Sequence, residues 1–171
     1  MEKQKGQRMI AEMTEKMTDF YEGNRHDVAH FLKVWGWART IGRLEGLDLR
    51  MQALLEMEAV VHDIACPVCR EKYGNTAGAH QEAESEGVLR PFLEEFNLPP
   101  ETEERLIRVV SHHHTYTGVD GIDWQILLEA DFLVNADESE YSTKQIREFR
   151  DRVYRTESGI RLLNTLYLRE E

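Results

Sequence analysis

Cysteine is scarce in this sequence, which has only Cys66 and Cys69 among its 171 residues. A framework of several disulfides is therefore excluded. Long apolar runs are missing too, because no stretch approaches the ~20 residues of a membrane helix. The opening residues, MEKQKGQRMIAEM, lack the apolar segment of a signal peptide. We therefore predict a cytoplasmic protein that has no membrane partner.

Basic residues are also fewer than acidic residues. The chain has 21 Lys and Arg residues against 32 Asp and Glu residues, for a formal net charge of −11. This balance argues against binding to a nucleic acid polymer or an anionic membrane, since both require basic surface. A small anionic substrate stays compatible with it, because a metal and a few local cations are enough to hold one phosphorylated metabolite.

The apolar residues recur with helical spacing almost throughout, and no segment alternates as a strand would. We predict an all-α protein of about eight helices in a single domain, 1–171. A motif-bearing core covers about 27–138, with an N-terminal helix at about 8–22 and C-terminal helices at about 142–170 packed on it. This length is enough for one sizeable core.

Turn and capping residues locate the helix boundaries. Asp48 and Asp123 are predicted N-caps, and Ser142 or Thr143 and then Ser158 are predicted to start the two closing helices. The double proline in NLPPE opens a helix that runs to about His113, because proline is tolerated in a first turn. From Cys66 to about Thr76 the helical pattern fails, and a loop is predicted.

The stretch AVVHDIACPVC carries two different signals for a metal site. A zinc knuckle requires four ligands, and Cys66 and Cys69 have neither a second cysteine pair nor two histidines at the required spacing. A thioredoxin-type redox pair would follow a strand, and none is predicted here. We interpret the cysteines as structural.

Histidine and aspartate recur on the apolar faces of several predicted helices. His62 and Asp63 end an apolar helix, where an ionised carboxylate is costly unless a cation or a donor satisfies it. Asp131 shares its helix face with apolar residues, and so do His30 and His113. Imidazole and carboxylate together are typical ligands of a divalent transition metal.

In chain order, His30, His62, Asp63 and Asp131 form the pattern H…HD…D, and here the sequence resembles the HD-domain superfamily of metal-dependent phosphohydrolases. The contexts AHFLKVWGWA, AVVHDIA, VVSHHHTYTG and ILLEADFLVNADE carry the resemblance. The segments between them look like a small, mostly uncharacterised bacterial and archaeal branch. The resemblance implies an HD-type helical bundle and an enzyme.

The resemblance also implies a ligand set. One divalent ion, expected to be Mn, Fe, Co, Ni or Zn with Mg as a further candidate, would be held by His30, His62, Asp63 and Asp131. Many members hold a second ion, for which Asp63 would be the bridge.

Two histidines, His113 and His80, are the candidates that would complete this second site. Gly87 follows His80 by seven residues instead of the usual four, so Glu82 or Glu84 is an alternative ligand. The roles of His112 and His114 stay open between ligand, substrate contact and solvated side chain.

The implied reaction is hydrolysis of a phosphomonoester or phosphodiester by a metal-activated water, with a nucleotide as the preferred substrate. Asp63 or Glu82 would orient the water, and a histidine from 112–114, for which we choose His113, would protonate the leaving oxygen. The candidate substrate contacts are the cations Arg25, Lys33, Arg70 and Lys72 and the aromatic residues Tyr116 and Trp124.

Two other functions stay open. A few HD-like proteins resemble di-iron oxygenases, which use the same helices with more histidines. The chain is alternatively a metal-stabilised module that senses a nucleotide without catalysis. A homodimer is compatible with the sequence, which does not report the oligomeric state.

Overall fold

The computed structural model describes residues 2–169 as an all-α domain without strands, which confirms the predicted fold class. The predicted bounds at 1, 170 and 171 lie outside the described residues. Nine α-helices occur within the described range, one more than the eight expected. They are α1 Glu2–Phe20, α2 Arg25–Leu44, α3 Leu49–Val61, α4 Cys66–Tyr73, α5 Gly78–Leu93, α6 Pro100–Val110, α7 Ile122–Glu138, α8 Thr143–Val153 and α9 Glu157–Tyr167, with a short 3-10 turn at Glu94–Phe96 after α5.

Several boundaries follow the capping chemistry of the sequence. The carboxylate of Asp48 accepts a hydrogen bond from the Met51 backbone N–H at the start of α3. Ser142 and Gln145 form a reciprocal capping box at the start of α8. Pro100 opens α6, as the tolerance for proline in a first turn predicts. These contacts satisfy N–H groups that the helix itself leaves unpaired.

Other predicted boundaries are wrong. Residues from Cys66 form a helix and not a loop, because Pro67 fits a first turn and Gly74, at φ +70°, ends the helix in the left-handed conformation. Cys66 and Cys69 are one turn apart, buried and unbonded to each other. Helix α9 is capped by Thr156 instead of beginning at Ser158.

The N-terminus of α7 also differs from the prediction. Gly121 is the N-cap, and the predicted cap Asp123 lies in the first turn. Its buried carboxylate instead accepts two hydrogen bonds from Arg105 of α6, from Nε at 2.8 Å and from a terminal nitrogen at 2.7 Å. The next residue, Trp124, is only 3% exposed and belongs to the core. Trp124 thus belongs to neither the candidate metal clusters nor the cavity beside Asp131, and its contact with a ligand stays a prediction.

The core is built around α2 and the helices that contact it. Helix α2 packs on both α3 and α7, α1 covers α3, α5 packs on α6, and α8 and α9 cover α7. One apolar cluster surrounds α7 and the C-terminal helices, and a second lies between α1, α3, α5 and α6. The inner faces of α2, α3 and α7 therefore meet between two apolar regions. In the described part of the chain, no helix is both long and apolar enough to cross a membrane.

Candidate metal centre

Three histidine rings and two carboxylates from four segments converge between α2, α3 and α7. His30 comes from α2, His62 and Asp63 directly follow α3, His113 lies in the turn after α6, and Asp131 comes from the middle of α7. The ring centroids of His30 and His62 are 5.4 Å apart, and those of His62 and His113 are 5.3 Å apart. The structure thus brings together all the residues of the H…HD…D pattern.

The outer nitrogen of each ring makes a hydrogen bond that determines which nitrogen carries the proton. His62 Nδ1 donates to the Ala59 carbonyl oxygen at 2.9 Å, and His113 Nδ1 donates to the Val110 carbonyl oxygen at 2.7 Å. His30 Nδ1 donates to a Glu138 carboxylate oxygen at 2.8 Å. These oxygens only accept, so in the neutral rings the Nε2 atoms present lone pairs to the centre.

The inward-facing atoms are close to one another and are all potential acceptors. His30 Nε2 lies 3.2 Å from Asp131 Oδ1 and 3.4 Å from Asp63 Oδ2, and His62 Nε2 lies 3.5 Å from each of these oxygens. Ligands about 2.1 Å from a shared ion stand about 3.0 Å apart in octahedral and about 3.4 Å apart in tetrahedral geometry. The observed spacing fits a common metal ion.

Positive charge is required at this centre, because converging acceptors in a buried site repel one another. Burial disfavours the charged form of His30, but the hydrogen bond with Asp131 and the charges of Asp63 and Asp131 outweigh it and raise the pKa of His30 to about 10. Burial would also raise the pKa of Asp63, yet the neighbouring histidines lower it. A metal ion would supply the same charge and displace the proton of His30.

A second group of ligand atoms shares Asp63 with the first. Asp63 Oδ1, on the opposite side of the carboxylate from the first group, lies 3.3 Å from His113 Nε2. His114 completes a group whose ligand atoms all lie within 4.8 Å of one another. The Nε2 atoms of His113 and His114 are buried and make no hydrogen bond to a described residue. Both clusters therefore have the composition and spacing to hold a metal ion.

His114 takes the place that we predicted for His80. The His80 ring stacks on Tyr73 with centroids 4.0 Å apart, and its Nδ1 pairs with the Asn75 side-chain oxygen. It lies in the first turn of α5, away from both clusters. Burial first and then the charge of His113 lower the pKa of His114 to about 4, so its ring is neutral with a free lone pair. Gly78 makes room for it, because a Cβ at residue 78 would lie 2.7 Å from the ring.

Glu82, predicted to orient the water, contacts the turn that carries His113 and His114. One of its oxygens accepts hydrogen bonds from the His114 backbone N–H at 3.1 Å and from the Thr115 hydroxyl at 2.9 Å. Glu84, the alternative ligand, binds Lys72 and the Tyr73 hydroxyl. His112 is exposed and donates to the Arg108 carbonyl oxygen. Glu82 therefore holds the histidine turn in place.

The predicted cations do not gather at the centre. Arg70 donates two hydrogen bonds to Asp27, at 2.7 and 2.8 Å, and Lys33 binds Glu138. Arg25 is exposed in the first turn of α2. Lys72 is already paired, as described above. These cations were predicted because they are close to the motifs in the sequence. In the structure, neighbouring carboxylates neutralise the charge of most of them.

Glu138 is a site residue that the sequence interpretation missed. It lies seven residues after Asp131, two helical turns along the same face of α7, and its carboxylate orients the His30 ring. Burial would raise the pKa of Glu138, but the hydrogen bonds with Lys33 and His30 lower it, so it stays ionised. The spacing of seven residues from Asp131 is the feature of the sequence that could have identified Glu138. A carboxylate behind a ligating histidine fixes its tautomer and strengthens it as a ligand.

We expect Glu138→Ala to weaken metal binding about 10- to 100-fold, because His30 loses its orienting acceptor. The measurement is metal affinity by competition with a chromogenic chelator. Asp137→Ala, at the exposed neighbouring position of α7, is the matched control and is expected to bind as the wild type does. Equal affinity in the two variants would contradict the role of Glu138.

Access to the centre is from the carboxylate side. The side chains of His62 and His113 have no exposed surface, whereas those of Asp63 and Asp131 are 19% and 11% exposed. Asp131 also lines a cavity of about 360 Å³ whose wall includes Tyr116, for which a substrate contact stays a prediction. A ligand in this cavity would therefore contact the candidate metal centre at Asp131. Searches of known protein families, of curated proteins and of solved structures found nothing that this chain matches.

Proposed function

We propose that the protein is a metal-dependent hydrolase of small phosphate esters. The observation that carries the proposal is the convergence of three histidine Nε2 atoms and two partly exposed aspartate carboxylates, one of which, Asp131, lines a cavity. A structural metal site is closed by its ligands, whereas a catalytic site keeps one position accessible. The resemblance of the ligand pattern to the HD-domain superfamily points to phosphate esters.

The two clusters divide the ligands between them. His30, His62, Asp131 and Asp63 Oδ2 would hold a first ion, and Asp63 Oδ1, His113 and His114 would hold a second. Mixed imidazole and carboxylate ligands suit Mn, Fe, Co, Ni or Zn better than Mg, which prefers oxygen. When bound, a divalent ion lowers the pKa of a water molecule and neutralises phosphoryl oxygens.

The side chains around the opening have separate tasks. The Asp63 side chain is 19% exposed and can accept a hydrogen bond from the attacking water. Burial, followed by the charge of Asp131, raises the pKa of Tyr116 to about 12, so its hydroxyl stays protonated and can donate to a substrate oxygen. Glu82 keeps His113 and His114 in position through the backbone of their turn.

This arrangement changes the assignment of the leaving-group acid. His113 points its free nitrogen at Asp63, His114 is neutral, and His112 is exposed and directed at Arg108. None of the three is placed as a proton donor at the cavity. Tyr116 is the better candidate for a hydrogen bond to the leaving oxygen, because it lines the cavity beside Asp131.

The test is a panel of phosphate monoesters and diesters assayed with Mn²⁺, Co²⁺, Ni²⁺, Mg²⁺ and Fe²⁺ added one at a time. We expect metal-dependent phosphate release that chelation abolishes and the same metal restores. Metal content is measured separately on anaerobically purified protein. Oxygen consumption without phosphate release would support the di-iron oxygenase alternative, and bound metal with neither activity would support the sensing module.

A further inference from the structure

The cavity beside Asp131 contains a cation that the sequence interpretation did not select. This cavity, which we call the Arg152 pocket, is bounded by α7, α8 and the residues before α8. Arg152 lies in the last turn of α8 and is exposed to the pocket. Its guanidinium group lies 6.0 Å from the ring centroid of Tyr116 and 5.7 Å from that of Phe149. The two rings therefore help to hold the side chain over the pocket.

Arg152 is also a charge that no neighbouring carboxylate neutralises. Among residues 4–169, whose side chains the structure describes, it forms no ion pair, and Glu148, the acidic residue one turn earlier in the pocket wall, pairs with Lys144. Lys33, Arg70 and Lys72, by contrast, are each bound to a carboxylate. In a chain of net charge −11, an anion requires such a local cation to bind.

The size of the pocket limits the ligand. Its volume of about 360 Å³ lies at the lower end of the range for small-molecule sites, so it admits a monomeric metabolite and not a polymer. Arg152 and Asp131 both line this pocket, so one compact ligand in it would face both side chains. Tyr116 and Phe149 supply an apolar wall for its organic part.

We propose that the Arg152 pocket is the substrate pocket of the metal centre, and that Arg152 binds an anionic oxygen of a compact phosphate monoester. This inference rests on the proposed function. A monoester carries two negative charges at neutral pH, and these match the two positive centres, the metal ligated by Asp131 and the guanidinium of Arg152. A diester carries only one charge. The C-terminal helix α8, outside the H…HD…D segments, thereby contributes to substrate selection.

The test uses inorganic phosphate as the probe and titration calorimetry of the Mn²⁺-loaded full chain as the readout. Arg152→Met keeps an apolar stem over the rings and removes the charge. We expect it to weaken phosphate binding about 10- to 100-fold, the usual loss for a charge-assisted hydrogen bond, with unchanged metal content. Arg152→Lys is expected to recover part of the affinity. Arg147→Met removes the same charge from an exposed position of α8 outside the pocket and is expected to change affinity less than twofold.

The outcomes separate this inference from the proposed function. If the wild type hydrolyses esters but Arg152→Met binds phosphate and turns over substrate as the wild type does, the pocket assignment is wrong and the hydrolase proposal stands. If Arg152→Met loses phosphate affinity while the wild type hydrolyses no ester, Arg152 is an anion-binding residue of a site with another function. A metal-loaded wild type that binds no phosphate overturns the inference outright, and so do equal losses in Arg152→Met and Arg147→Met.

Discussion

Replacement of Asp63 by Asn is expected to lower the rate of ester hydrolysis at least about 1000-fold, because its carboxylate is shared by both clusters. Oδ2 faces His30 and His62, and Oδ1 faces His113, so one change removes negative charge from both candidate ion positions. Asparagine keeps the shape of the side chain, which separates loss of charge from loss of packing. Metal content by elemental analysis is expected to fall together with activity.

The matched control for this change is Asp137→Asn. Asp137 is an exposed aspartate near the end of α7, outside both clusters. The Asp137→Asn variant is expected to retain the metal content and the hydrolysis rate of the wild type. Full metal content and full activity in Asp63→Asn would refute the assignment of the metal centre, since Asp63 is the residue that the two candidate clusters share.

Glu129→Ala is expected to lower the free energy of unfolding by about 3 to 5 kcal/mol while leaving metal binding intact. Glu129 is fully buried in α7, where its carboxylate accepts hydrogen bonds from the backbone N–H groups of Arg155 and Thr156, from the Thr156 hydroxyl and from Gln125. Truncation would leave these buried donors without an acceptor. The segment between α8 and α9 would lose its main polar anchor to α7.

Chemical denaturation followed by circular dichroism measures this effect, and metal titration is run on the same samples. Glu157→Ala, at an exposed position at the start of α9, is the control for loss of a glutamate in this region. Asp131→Asn is expected to show the opposite profile, with weak metal binding and little loss of stability in the metal-free protein. Loss of metal from a folded Glu129→Ala variant would contradict the separation of the two roles.

Much of the fold could be predicted because its causes are local. Helical spacing of apolar residues depends only on the period of the helix, and the caps Asp48 and Ser142 each act on an N–H group three residues away. The helix from Cys66 was missed because its causes are not local. Its stability depends on burial of Cys66 and Cys69 against other helices, and a short segment with a proline carries little periodicity of its own.

The candidate metal ligands were predictable because they are polar residues in otherwise apolar surroundings. His30, His62 and Asp131 are buried polar residues among apolar neighbours, and Asp63 directly follows an apolar helix, which is costly unless they share a compensating charge. His80 and His114 could not be ranked in this way, because their position depends on where α5 begins and how the turn after α6 packs on Gly78. Arg152 was missed since its relevance arises only when α8 folds back onto α7.

The sequence alone determined that the chain is all-helical and that a set of histidines and aspartates lies on inward faces. It selected Asp131 by its apolar helix face and by the H…HD…D pattern, but it gave no role to Glu129, a carboxylate two residues earlier in the same buried helix. Tertiary structure decided this difference, because the oxygens of Glu129 meet hydrogen-bond donors from the α8–α9 segment, whereas Asp131 meets the lone pairs of His30 and His62. A carboxylate that is satisfied by donors holds the fold together, and one that faces other acceptors requires a cation. Those partners lie far away in the sequence, and only folding brings them within bonding distance.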